Sequence, residues 1–178
     1  MVDQYISRNG LEKRMILVLL GTQNNSFVRL LKALQDNINQ KRINDEVIVQ
    51  AGFTKFSSKD MKIFKFISKD ELSELQEKAD LIITHGGVGS IVSSLKKGKK
   101  VLVVPRLKKY GEHVNNHQLQ IARRFGQEGY VKYIINLKLL DKLIKSMEKF
   151  KPKSYESNES NVITIIENYI DNNWWMEW

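Results

Sequence analysis

From Met15 onward the chain alternates short, wholly apolar runs with longer stretches in which apolar residues recur every three or four positions. The first kind reads as buried parallel strand, the second as helix with one face against a core. Ile16–Leu20 predicts a strand, Gly21–Ser26 a polar turn, and Phe27, Leu30, Leu31, Leu34 and Ile38 a helix. Val47–Gln50 and a segment within Met61–Ile67 predict two more strands. Asp70–Lys78 is a helix with Ser68 as its N-cap, and Leu81–Thr84 a strand. Val88–Lys97 is a helix that buries Ile91, Val92 and Leu95 and stops at Gly98. Val101–Val104, a helix from Val114 to Phe125, a strand Tyr130–Ile135 and a helix Leu137–Phe150 complete the alternation. Right-handed crossovers then give an α/β, Rossmann-like parallel sheet of about six strands with helices on both faces.

Residues 1–14 are polar and aperiodic and read as a disordered extension or a cloning remnant. Residues 15–150 form the predicted domain. In the stretch 151–178, Lys151–Asn158 reads as a linker. An amphipathic helix with Val162, Ile165, Ile166, Tyr169 and Ile170 on one face follows. The chain closes with Trp174, Trp175 and Trp178, a density of large apolar groups that suits packing on the domain, a partner subunit or a membrane interface.

Composition narrows the chemistry. The chain has 178 residues, no cysteine, three histidines and a formal charge of +9. A disulfide framework and a thiolate metal site are excluded, a histidine metal site is disfavoured, and a reducing, cytoplasmic setting fits. The longest apolar run, Met15–Leu20, is far short of the roughly 20 residues that span a bilayer, and nothing resembles a cleavable signal. One domain of this length is short for an enzyme holding two substrates, so half of an active site is expected on another protein. Lys96–Lys100 reads as a solvated helix end or an anion contact. Arg106–Lys109 lies on the expected ligand edge, where it would attract a phosphorylated ligand or an anionic membrane surface. Nucleic acid is not an expected partner, since no recognisable binding motif or aromatic-laced basic stripe is present.

The most informative segment is Thr84-His85-Gly86-Gly87-Val88-Gly89-Ser90, a turn from strand to helix at the carboxyl edge of the predicted sheet. That edge is where α/β proteins bind ligands. Glycines admit close approach, a helix start offers free N–H groups to a diphosphate, and His85 and Ser90 add donors. The alternative is that the glycines serve strand–helix packing and His85 is a satisfied buried ring. A second turn from the same edge carries Glu112-His113-Val114-Asn115-Asn116-His117-Gln118. There Glu112 suits a ribose and Asn115, Asn116, His117 and Gln118 suit sugar hydroxyls, with capping as the plainer role of the two asparagines. Gly21 and Thr22 form a third turn facing that edge, a weak signal alone. Neither a dinucleotide fingerprint nor a Gly-x-x-x-x-Gly-Lys-Ser/Thr loop is present.

The succession His85-Gly-Gly-x-Gly-Ser90, Gly98-Lys-Lys, an apolar strand, Pro105-Arg106 and Glu112-His-Val-Asn-Asn-His-Gln118 resembles the donor-binding half of GT-B glycosyltransferases of family 28. It is most similar to the small catalytic subunits of two-subunit bacterial exopolysaccharide and capsule galactosyltransferases, themselves similar to the eukaryotic subunit that adds GlcNAc to a dolichol-linked sugar. The likeness covers about Met15 to Ile144 and is specific around 81–122.

The resemblance implies that His85 and Ser90 contact the donor's phosphates, with Gly86, Gly87, Val88 and Gly89 giving backbone access. It places His117 and Gln118 on the donor sugar and Gly21 and Thr22 toward the cleft. Many relatives carry a ribose-holding glutamate where this chain has Ser93, a role that passes to Glu112. The implied activity is an inverting, UDP-sugar-dependent β-1,4-galactosyl transfer to a polyprenyl-diphosphate-linked sugar, with neither cofactor nor metal. A membrane-anchored partner subunit would hold the acceptor, placing the chain at the inner face of the membrane. His113 or a group on the partner would be the general base. The competing readings are a non-catalytic nucleotide-sugar-binding subunit and an anion- or RNA-binding protein driven by charge, whose binding would collapse with salt.

Overall fold

The computed structural model describes residues 13–155, so the expectations for residues 1–12 and for the helix and tryptophans within 156–178 lie outside it. Six parallel strands form one sheet in the order β3-β2-β1-β4-β5-β6. They are β1 (Met15–Leu19), β2 (Glu46–Gln50), β3 (Met61–Phe64), β4 (Leu81–Thr84), β5 (Val101–Val103) and β6 (Lys132–Tyr133). The helices are α1 (Val28–Asn39), α2 (Lys69–Lys78), α3 (Val88–Lys96), α4 (His117–Gln127) and α5 (Leu140–Ser146). The order reverses between β1 and β4, the switch point where doubly wound sheets open a crevice at their carboxyl ends.

The apolar runs behave as their composition demands. Ile16, Leu17, Val18, Ile82 and Ile83 are wholly buried because both sheet faces are covered. On one face Leu30, Leu31 and Leu34 of α1 pack with Leu140 and Ile144 of α5. On the other, Ile91 and Leu95 of α3 meet Ile121 and Phe125 of α4, and Leu72 and Leu75 of α2 pack against Leu17 and Ile82.

Several boundaries differ from the sequence expectation, each for a local reason. The fourth helix begins at His117 rather than Val114, because Gly111 turns left-handed (φ +67°) and Asn115 Oδ1 takes the His117 N–H. The last strand shrinks to Lys132–Tyr133, since β5 offers it two residues of pairing. The polar extension ends before Arg14, whose Nε donates to Asp45 at 2.6 Å while its carbonyl accepts from Glu46 N–H. Lys151–Tyr155 does not run free as a linker. Lys153 N–H donates to Gly129, and Tyr155 meets Tyr130 edge to face at 5.3 Å.

Candidate functional site

Three turns leave the carboxyl edge around the switch point: residues 20–27 after β1, 85–87 after β4 and 104–116 after β5. The first two are in direct contact. Gly21 sits at φ +79°, and a Cβ on it would lie 2.6 Å from the His85 ring. Gly52, after β2, is in turn pressed on Gly21, where a Cβ would meet the Gly21 carbonyl oxygen at 2.3 Å. Gly21 therefore serves close packing against His85. Thr22 beside it is exposed.

The β4–α3 turn differs from its neighbour in how its helix starts. Helix α2 closes its own N-terminus with a capping box, Ser68 accepting from Glu71 N–H while the Glu71 carboxylate takes the Ser68 N–H. Helix α3 has Gly87 at the N-cap, no side-chain cap and no acidic residue in its first turn. Its first main-chain bond is Ile91 N–H to Gly87 O, so the amides of Val88, Gly89 and Ser90 point outward. The partial positive charge of a helix start is thus left open at the sheet edge. Gly89 is exposed, and a Cβ on it would touch nothing within 4 Å. Ser90 uses its carbonyl to accept from Ser93 and Ser94, while no described group bonds its hydroxyl. Ser93 faces away, taking a bond from Gln76 of α2.

His85 is half-buried, and its Nδ1 lies 3.3 Å from the Leu19 carbonyl oxygen. A carbonyl only accepts, so the ring proton sits on Nδ1 and the lone pair on Nε2. Burial lowers its pKa to about 4, with a smaller effect of the same sign from Arg106 and His113. The neutral ring is thus an acceptor at Nε2, not the donor expected from the sequence; an anion there requires a second proton on the ring.

Gln118 is 4% exposed, and its Oε1 accepts from Gly86 N–H at 3.2 Å and Arg106 N–H at 3.1 Å. Two donors fix the orientation of the amide, whose nitrogen has no described partner. His117 is half-buried, and burial lowers its pKa, with a smaller contribution from His113. Asn116 is exposed, and its Oδ1 accepts from Lys108 N–H.

The structure corrects two expectations. Glu112 is 3% exposed, and both its oxygens are committed: Oε1 to Arg29 Nε at 2.8 Å, Oε2 to Arg29 Nη2 at 2.9 Å and Leu107 N–H at 3.1 Å. It holds the β5–α4 loop to α1 and does not present itself to a ribose. His113 Nδ1 accepts from Asn115 N–H at 3.3 Å, which leaves the proton of the neutral ring on Nε2. In this arrangement it has no free lone pair with which to act as a base.

The basic clusters also resolve. Lys97, Lys99 and Lys100 tether Glu77, the Glu77 carbonyl and the end of α5. Arg106 is 1% exposed and turned inward, with Nη2 on Leu20 O and Nη1 on Asn25 O, both at 2.6 Å, and the group over the Phe27 ring. It pins the β1–α1 turn to the β5–α4 loop, a role no local sequence signal shows. Arg29 and Thr54, whose hydroxyl accepts from Phe27 N–H, were likewise hidden because their partners are distant in sequence. Among the described residues no group of three or more His, Asp or Glu side chains is placed to hold a metal.

An uncapped helix start and a fixed side-chain amide lie together at the switch point, and comparison with known proteins places the chain in a family. Residues 15–171 match the glycosyltransferase family 28 C-terminal domain. The chain belongs to glycosyltransferase family 28. Human UDP-N-acetylglucosamine transferase subunit ALG13 is 40% identical over 78 residues, 44% of this chain and 6% of that protein. A Clostridium botulinum pyrophosphoryl-undecaprenol N-acetylglucosamine transferase is 33% identical over 107 residues, 60% of this chain and 28% of that one. The solution structure of ALG13 superposes with a TM-score of 0.55 at 25% identity, over 84% of this chain and 93% of that one. This family 28 chain thus spans a small part of the two curated relatives. No helix among its described residues is long and apolar enough to cross a membrane.

Proposed function

We propose that this family 28 chain is the donor-binding half of an inverting, UDP-sugar-dependent glycosyltransferase. The observation that carries the reading is Gly89. A glycine in an exposed helical position costs about 1 kcal/mol against alanine, yet no described atom lies where its Cβ would be. A diphosphate brought against the amides of Val88, Gly89 and Ser90 supplies the reason for the missing side chain.

In this reading Ser90 and the helix start hold the donor's phosphates, Gln118 Nε2 and His117 hold its sugar, and Gly21 and Thr22 border the cleft. The acceptor hydroxyl attacks the anomeric carbon as the bond to the diphosphate oxygen breaks, and a base takes the hydroxyl proton. The helix start and a protonated His85 stabilise the departing charge without a metal. The base comes from the acceptor side, because His113 has its lone pair engaged. That side is a membrane-anchored partner subunit presenting a polyprenyl-diphosphate-linked sugar, and the chain sits at the inner face of the membrane through it. The undecaprenol and subunit names of the relatives support this. Galactose, and a role in exopolysaccharide or capsule assembly, follow from the motif resemblance, whereas the relatives' names carry N-acetylglucosamine.

Calorimetric titration of the chain with UDP-galactose, UDP-glucose, UDP-N-acetylglucosamine and ADP, first without metal, tests the reading. Uridine-selective binding that magnesium does not alter supports it, and the ranking selects the sugar. Equal affinity for ADP overturns it.

A further inference from the structure

Arg106 reaches all three turns at the switch point. Its guanidinium donates to Leu20 O and Asn25 O of the first turn and lies 3.4 Å from Glu112 O of its own loop. Its main-chain N–H shares Gln118 Oε1 with the Gly86 N–H of the glycine turn. It also carries a full charge into the interior, since a guanidinium does not shed its proton. The side chain is 1% exposed and in no ion pair with a described residue. Glu112, the acid whose charge it feels, gives both carboxylate oxygens to Arg29 and the Leu107 N–H. Both guanidinium groups face the Phe27 ring, each 5.4 Å from its centroid. Two cations thus share one carboxylate, and Arg106 Nε has no acceptor among the described residues. A buried charge without a counter-ion is costly, and this one is kept at the ligand edge of the sheet.

We propose that Arg106 is a positioning residue of the donor site, whose buried charge acts through space as the fixed counter-charge of the donor's diphosphate while its bonds hold the three turns in register. The inference rests on the proposed function and names the part of the ligand that this charge selects: the phosphates, not the nucleoside. Water and salt screen the exposed acids at the start of α2, Asp70, Glu71 and Glu74, far more than a charge at this depth. His85, on which Gly21 is pressed, already registers the field, because Arg106 adds to burial in lowering its pKa.

The test is NMR titration of the full chain and of R106Q and R106K with uridine, UMP and UDP, at pH 8 so that His85 is neutral. Wild-type affinity is expected to rise from uridine to UDP. R106Q should bind uridine within about threefold of wild type and UDP at least about tenfold more weakly, and R106K, which keeps the charge, should bring UDP back to within about threefold. Thermal melts establish folding. The His85 pKa, followed by ring-proton shifts without ligand, should rise in R106Q and stay low in R106K. One reading needs no variant: the wild-type gain from uridine to UDP should survive about 0.5 M salt, whereas collapse would assign it to exposed lysines such as Lys108 and Lys109 and overturn the inference. An equal loss for all three ligands in folded R106Q, or an unmoved His85, also overturns it and leaves Arg106 a structural clamp. A wild type that prefers UDP no more than uridine overturns the donor reading itself, and this inference with it.

Discussion

Gly86 and Gln118 are joined twice. The Gly86 N–H donates to Gln118 Oε1 at 3.2 Å, and a Cβ on Gly86 would lie 2.5 Å from both the Gln118 Cβ and its main-chain oxygen. The glycine turn after β4 and the helix that carries Gln118 are therefore one rigid unit. Main chain yields little, so G86A is expected to lower stability by about 1–3 kcal/mol. Q118L strands two buried N–H groups and is expected to cost a similar amount. Q118E keeps the acceptor and loses the amide donors. Its UDP-sugar affinity should fall while its affinity for UDP itself stays close to wild type, as titration with both ligands would show.

Gly89 gives the opposite pattern. G89A gains helix propensity, about 0.5–1 kcal/mol, with no contact to offend. Its melting temperature should rise by a few degrees while affinity for UDP-sugar drops at least tenfold. A stabilised variant with unchanged affinity would mean that the glycine does not make room for a diphosphate.

The Arg29–Glu112 pair is a matter of structure. E112A leaves a largely buried guanidinium and the Leu107 N–H without their acceptor, at a cost of about 2–4 kcal/mol. Under conditions where the variant is folded, its affinity for UDP should remain within a few-fold of wild type. Loss of binding in a fully folded E112Q would return the residue to the ribose.

His85 ties stability and binding to pH. Its folded pKa, about 4, lies below the ordinary 6.5, so the unfolded chain takes up a proton that the folded chain refuses. The contribution is complete above about pH 6.5 and is lost as the pH falls toward 4. Over that window it amounts to about 3 kcal/mol, and thermal melts of H85Q should lack it. A diphosphate near Nε2 favours the protonated ring, so binding takes up a proton. Affinity for UDP-sugar should rise as the pH falls from 8 to 6, and calorimetry in buffers of different ionisation heat counts the proton.

Much of this was legible in the chain. The apolar runs marked the strands and their parallel arrangement, because strands buried on both faces carry no polar positions to confuse the pattern. The turn from His85 to Ser90 was readable because its glycines and helix start act locally. Glu112 misled because its residue type suits a ribose as well as it suits Arg29, and that partner lies on another element. Arg106 reads as part of a basic run with Lys108 and Lys109, yet the fold turns it inward to carbonyls of the first turn. Which nitrogen of His85 or His113 holds the proton depends on one neighbouring carbonyl or amide that sequence does not place.

Everything proposed for the donor depends on the start of α3 receiving its diphosphate. Amide NMR of the labelled chain during metal-free titration with UDP reads that contact residue by residue. The largest shifts are expected at Gly87, Val88, Gly89 and Ser90, with Gly86 and the Gln118 side-chain amide following and ADP producing far weaker changes. Shifts centred elsewhere, or of equal size with ADP, would place the diphosphate off this helix or deny the site its preference for uridine.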